Sequence, residues 1–90
     1  MELSIKDIRA ALNGAGISMV RRMSDSELKQ ADFLLDLEMN RSKVFAFISR
    51  LEQNLHILLP NRVMDSLQVK NTVAVFITAA NHYLIDLSKS

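Results

Sequence analysis

A chain of 90 residues with a formal net charge of +1 and no cysteine has room for one domain and none for a second core. The charge is too small to draw the chain to nucleic acid or a membrane by itself, and without cysteine there is no disulfide, thiolate nucleophile or cysteine-bound zinc. At 49% apolar and 23% charged residues the composition is globular, not disordered, and a cytoplasmic location is expected. Such a chain buries only about 60–65% of its unfolded surface, so its stability margin is thin. The N-terminal stretch mixes acidic and basic residues and has no long apolar core, so no signal peptide is expected. The longest apolar run, near residue 80, falls far short of the ~20 residues that span a bilayer.

In chain order, Ser4 followed by Asp7 forms a capping-box pattern, and Ile5, Ile8, Ala11 and Leu12 share one helical face. Gly14 and Gly16 stop that helix, because glycine accepts the left-handed conformation of a helix end. Residues 17–23 read as a further helical turn or an extended connector. The stretch "SDSELKQA" repeats the capping logic, with Ser24 or Ser26 as cap and Glu27 in the first turn. The next helix spans about residues 41–55 behind Asn40, a competent N-cap. Phe45, Ile48, Leu51 and Leu55 are its expected inner stripe, with Val44 and Phe47 at the margins. Pro60 closes this region, and residues 61–67 form a short helix. The last helix starts near Asn71 or Thr72, with Val73, Phe76, Ile77, Ala80, Leu84 and Leu87 along one side. Three substantial helices, one short one and a long first connection, without strand patterning, predict an all-α chain arranged as a small four-helix bundle over residues 1–90.

With the helices placed, the order of parts resembles the acyl carrier protein family. There a long first loop ends in phenylalanine, a short spacer and Asp-Leu-Gly, then a variable residue and Asp-Ser-Leu at the start of the second helix. Here the matching residues are Phe33, Asp36-Leu37-Glu38, Met39 and Asn40-Arg41-Ser42. The family's Leu-Glu pair late in the second helix and the Ile-Pro beyond it find Leu51-Glu52 and Leu59-Pro60 at ungapped spacing, and its Thr-Val at the fourth helix finds Thr72-Val73. The match covers roughly residues 28–87.

The resemblance implies a carrier of acyl groups on a 4'-phosphopantetheine arm, in fatty-acid, polyketide or peptide biosynthesis. The chain departs from it where the arm attaches. Arg41 occupies the serine's position, Asn40 the aspartate's, Ser42 the leucine's and Glu38 the glycine's. Arginine has no hydroxyl to take the arm, so no cofactor is expected there. The family presents an acidic second helix to basic enzymes, whereas this one carries Arg41, Lys43 and Arg50 against Glu52. Like charge is penalised at an interface, so an acidic protein partner is expected, and no membrane. The leading expectation is a non-enzymatic docking module. The alternative is a true carrier with its arm on Ser42, one position along and about 100° around the helix. Ser66 sits in a literal Asp65-Ser66-Leu67, but only 24 residues follow it, too few for the remaining helices of a carrier.

Other chemistry has less local support. A hydrolase needs nucleophile, base and orienting acid together; His56 at the end of the second helix and His82 on the polar side of the last read as surface residues. Asp32, Asp36 and Glu38 lack the spacing and turn glycine of a calcium loop and read as a solvated acidic loop. Met19 and Met23, one turn apart, suit an adaptable contact surface or simply the core. The rival class is DNA binding, in which "IRAALNGAGISMVRRM" forms helix, glycine turn and second helix with Arg21 and Arg22 on phosphates. The near-neutral charge weighs against it. A hydrophobic ligand between the helices would meet Phe45, Phe47 and Phe76.

Overall fold

Four side-chain caps start four of the helices. The computed structural model describes residues 2–67 and 71–87, save the side chain of Ser66. Ser4 caps α1 (Ile5–Gly14) and Ser24 caps α2 (Asp25–Gln30), each completed as a capping box by Asp7 and Glu27. Asn40 caps α3 (Arg41–Leu55) and Thr72 caps α5 (Val73–Tyr83). Each cap satisfies an amide that the helix itself leaves free. The short α4 (Asn61–Ser66) starts from Pro60 without a side-chain cap.

The first connection holds two elements. Gly16, at φ 89, turns the chain out of α1 so that Ile17 N–H returns to Leu12 O at 3.0 Å. A five-residue 3-10 turn, Ser18–Arg22, follows, then α2. Arg9 on α1 ties this connection down, donating to Val20 O and pairing with Asp25 at 2.7 Å. Among the described residues there are thus five α-helices, where three substantial helices and one short one were expected; the fifth is α2, too short for an apolar period and fixed by its capping box.

The expected absence of strands is also corrected. His56 leaves α3 in a left-handed conformation, φ 54, and β1 (Ile57–Leu58) pairs antiparallel with β2 (Ile85–Asp86). Two-residue strands carry no readable alternation. The last helix ends at Tyr83, so Leu87 does not extend its inner stripe and lies at the exposed margin.

Helix α1 packs on α3, and α5 packs on both α2 and α4. The core between them centres on Phe33, Phe47 and Phe76, whose ring centroids lie 5.4–5.7 Å apart. Val44, Phe47, Ile48 and Leu51 are the buried face of α3, and Phe45 is 48% exposed. The stripe keeps Ile48 and Leu51 and is turned from the expected one by roughly 45°, about half a residue on a helix, which brings Val44 and Phe47 inward and Phe45 out. Phe47 and Phe76 meet each other and Phe33, so Phe45, Phe47 and Phe76 do not line a common space. The described residues are mostly helical, 65% helix, with a radius of gyration of 11.9 Å against about 12 Å for a folded domain of this length. No helix among the described residues is long and apolar enough to cross a membrane.

Candidate functional site at the first turn of α3

The site begins in the acidic loop that feeds α3. Asp32 is buried, and its carboxylate accepts from the amides of Leu34 and Leu35 at 2.9 and 3.0 Å. Asp36 reaches back to accept from Asp32 N–H at 2.7 Å. These carboxylates are turn formers, spent on backbone donors. Among the described residues, no group of three or more His, Asp or Glu side chains comes together as metal ligands would. The loop's end is strapped to the start of α5: Phe33 N–H donates to Asn71 O at 3.1 Å and Val73 N–H to Ala31 O at 3.0 Å.

Leu37 and Met39 are buried and pin the loop on either side of exposed Glu38. Between these anchors the backbone of Glu38 takes φ 53, a left-handed conformation that favours glycine. Asn40 then accepts from Lys43 N–H at 2.9 Å, and Arg41 opens the helix, exposed and without a hydrogen bond or ion pair to the described residues. Ser42 is likewise exposed, and its hydroxyl is unbonded within the described chain. Phe45 stands one turn beyond Arg41 on the same outer stripe. Phe45, expected on the inner stripe, is thus a surface residue, and helical spacing alone holds no signal for it, because that spacing fits both settings of the helix.

The cations are not equally free. Lys43 is half-buried and donates from Nζ to Ala15 O at 3.2 Å, at the carboxyl end of α1. The Arg50 side chain crosses Gly14 so closely that an added Cβ would lie 2.8 Å from its Nε. Arg21 bonds Asn13 Oδ1 through Nε at 2.8 Å. Three cations from two elements thus converge on the end of α1, whose free carbonyls and partial negative charge they complement. Lys43 and Arg50, expected as partner contacts, hold α1 against α3 as well.

Two depressions border residues 37–41. One, of about 640 Å³, is lined by residues 16–19 with Arg21, Arg22, Leu37 and Glu38. The other, of about 300 Å³, is lined by Leu34, Asn40, Arg41, Val44 and Leu67. Met19 is exposed at the first, while Met23 packs partly buried against the core.

The remaining candidates lie elsewhere. Ser66 ends α4, its side chain outside the described structure; Asp65-Ser66-Leu67 thus falls at a helix end, where the family's serine stands at a helix start. His56 is the exposed C-cap of α3, and His82 lies exposed on the last turn of α5, edge-on to Tyr83. Neither imidazole bonds a hydroxyl or carboxylate among the described residues. The second helix that DNA binding through Arg21 and Arg22 requires is the five-residue 3-10 turn. Comparison with protein-family models, curated proteins and solved structures finds no match to this chain.

Proposed function

We propose that this chain is an acyl-carrier-like docking module without the family's attachment serine. Its target is an acidic protein surface, met by the outer face of α3. The carrying observation is Arg41, exposed at the first position of a capped helix and unpaired among the described residues, with Phe45 exposed one turn on. Arginine and aromatic side chains are the residues that most often dominate binding energy at interfaces.

Three features support the carrier-like part of the reading. The loop keeps a left-handed residue, Glu38, where the resemblance places glycine. The paired motifs at residues 51–52 and 59–60 are physically joined, since Leu59 N–H donates to Glu52 Oε2 at 2.9 Å. The helices α1, α3, α4 and α5 stand in the order of a four-helix carrier bundle with a long first loop. Charge supports the docking part. The 3-10 turn and α3 together hold Arg21, Arg22, Arg41, Lys43 and Arg50, and Glu52 is their one acid, already bonded to Leu59. That leaves six of the 11 cationic residues and nine of the 10 acidic ones for the rest of the chain, so the net +1 conceals a basic face.

The residues at the family's attachment position do not fit a phosphopantetheine arm, because Arg41 offers no hydroxyl. A second reading rests on Ser42, whose exposed hydroxyl, unbonded within the described chain, is sterically open to become a displaced attachment point.

A panel of acidic peptides, each bearing one apolar anchor, tests the docking face by fluorescence anisotropy at low and high salt. Arg41→Glu and Phe45→Ala should each weaken binding about tenfold or more. Binding unchanged by both substitutions sinks the assignment.

A further inference from the structure

Building on the docking function proposed above, we infer that the depression between the 3-10 turn and the loop before α3 is the partner's second anchor point. It seats one carboxylate, together with the apolar side chain beside it, from an acidic peptide segment of a protein.

The depression holds about 640 Å³ and is lined by residues 16–19, Arg21, Arg22, Leu37 and Glu38. Arg22 is exposed and makes no hydrogen bond or ion pair to the described residues. Arg21 is exposed too, and Asn13 Oδ1 holds its Nε at 2.8 Å. Both terminal nitrogens of that guanidinium stay free among the described residues. A third cation stands behind Gly16, where an added Cβ would lie 2.9 Å from Lys43 Nζ. That ammonium gives one proton to Ala15 O at 3.2 Å and keeps two more to donate. Glu38 is the one acid of the lining, and it forms no ion pair among the described residues.

Three cations around one concavity select an anion. The arginine fork matches the two oxygens of a carboxylate. The bond to Asn13 fixes Arg21 beforehand, so less side-chain freedom is lost on binding. The rest of the lining is apolar: Ile17 and Leu37 are buried, and Met19 is 39% exposed with a thioether that adapts to what it meets. A ligand that fills the depression therefore carries its charge next to an apolar group. A nucleic acid fits less well, because duplex binding rests on many neutralised phosphates, and here Glu38 and the apolar residues interrupt the cations. A Glu or Asp beside a Leu supplies both halves, and Arg41 with Phe45 calls for the same chemistry. Glu38 stands three residues before Arg41, and three residues span at most about 11 Å. A peptide of about five residues therefore reaches from the depression to the first turn of α3.

The test is fluorescence anisotropy of a blocked, labelled Glu-Glu-Leu-Glu-Glu peptide against the full chain at low salt. Arg22→Glu should weaken binding about tenfold or more with helical circular dichroism unchanged. Lys29→Glu, exposed on α2 and outside the lining, makes the same change of charge and should alter binding less than about threefold. Serine in place of the peptide's leucine should weaken it about fivefold or more. In an NMR titration with the same peptide, the amide signals of residues 16–19, 37 and 38 should move. Equal losses in Arg22→Glu and Lys29→Glu overturn the proposal, and so does a mixed-sequence DNA duplex that binds more tightly than the peptide. Loss in Arg41→Glu with none in Arg22→Glu overturns the depression as an anchor and leaves the α3 face standing. Loss in Arg22→Glu with none in Arg41→Glu does the reverse. A parent that binds no such peptide up to about 1 mM overturns the depression, and the α3 face is then decided by the wider peptide panel.

Discussion

Substituting Phe47 and Phe45 separately by alanine tests the rotational setting of α3, on which the reading of its first turn depends. Phe47 is fully buried, with the rings of Phe33 and Phe76 at 5.7 and 5.6 Å. Removing such a ring costs about 3–5 kcal/mol, the lost transfer energy plus the cavity left behind. A domain of this length has a total stability of only about 5–13 kcal/mol, and each kcal/mol moves the midpoint by roughly 4–8 °C. Phe47→Ala should therefore lower Tm by about 12 °C or more. Phe45 is 48% exposed, and Phe45→Ala should cost about 1 kcal/mol or less. Thermal and urea unfolding of the two variants, followed by circular dichroism, give the comparison. Equal losses, or a larger loss for Phe45→Ala, would refute the placement. They would mean that α3 is turned by roughly 45°, with Phe45 inward, which carries Ser42 part of the way toward the position that Arg41 occupies.

Three further substitutions probe the backbone and caps. Glu38→Gly should stabilise by about 0.5–1 kcal/mol, since glycine carries no steric penalty at φ 53 and part of the gain is lost to unfolded-state entropy; a lower Tm would contradict the left-handed assignment. Gly16→Ala should destabilise by about 1–2 kcal/mol in urea titration, because φ is 89 and the added Cβ would lie 2.9 Å from Lys43 Nζ. Ser24→Ala should cost about 0.5–2 kcal/mol by removing the N-cap of α2. The same cap has an acid dependence. The backbone amide of Ser24, then its hydroxyl, hold the Glu27 carboxyl below the usual glutamate range. A carboxyl depressed by folding contributes stability that is present above its unfolded value of about 4.3 and is lost as pH falls through the lower folded value. Ser24→Ala removes the hydroxyl and keeps the backbone amide, so it should flatten the fall in stability below about pH 4 only in part, and an acid limb steeper than the parent's would contradict the capping box.

Features set within a few residues are legible in the sequence. Ser4 with Asp7, Ser24 with Glu27, Asn40 and Thr72 each announce a helix start, because a cap is a contact over three residues. The 41–55 helix is legible too, but not its rotation. Positions 44, 47, 48, 51 and 55 and positions 45, 48, 51 and 55 both satisfy helical spacing, and only packing against Phe33 and Phe76 selects the first set. The pairing of β1 with β2 joins residues almost thirty apart and leaves no periodic trace. The candidate site divides in the same way. Its loop and helix start can be read from "DLEMNRSKV". That Lys43 and Arg50 lie over the end of α1, and that Arg21 joins them, depends on where Gly14 and Gly16 bring that end. No local pattern encodes that contact.

Intact mass after incubation with coenzyme A and a broad-specificity phosphopantetheinyl transferase, on the parent and on Ser42→Ala, is the most direct test of a docking module without a phosphopantetheine arm. Neither protein should gain mass. A gain of one arm in the parent that disappears in Ser42→Ala would contradict the docking-module reading and make this chain a working carrier with its site displaced by one residue.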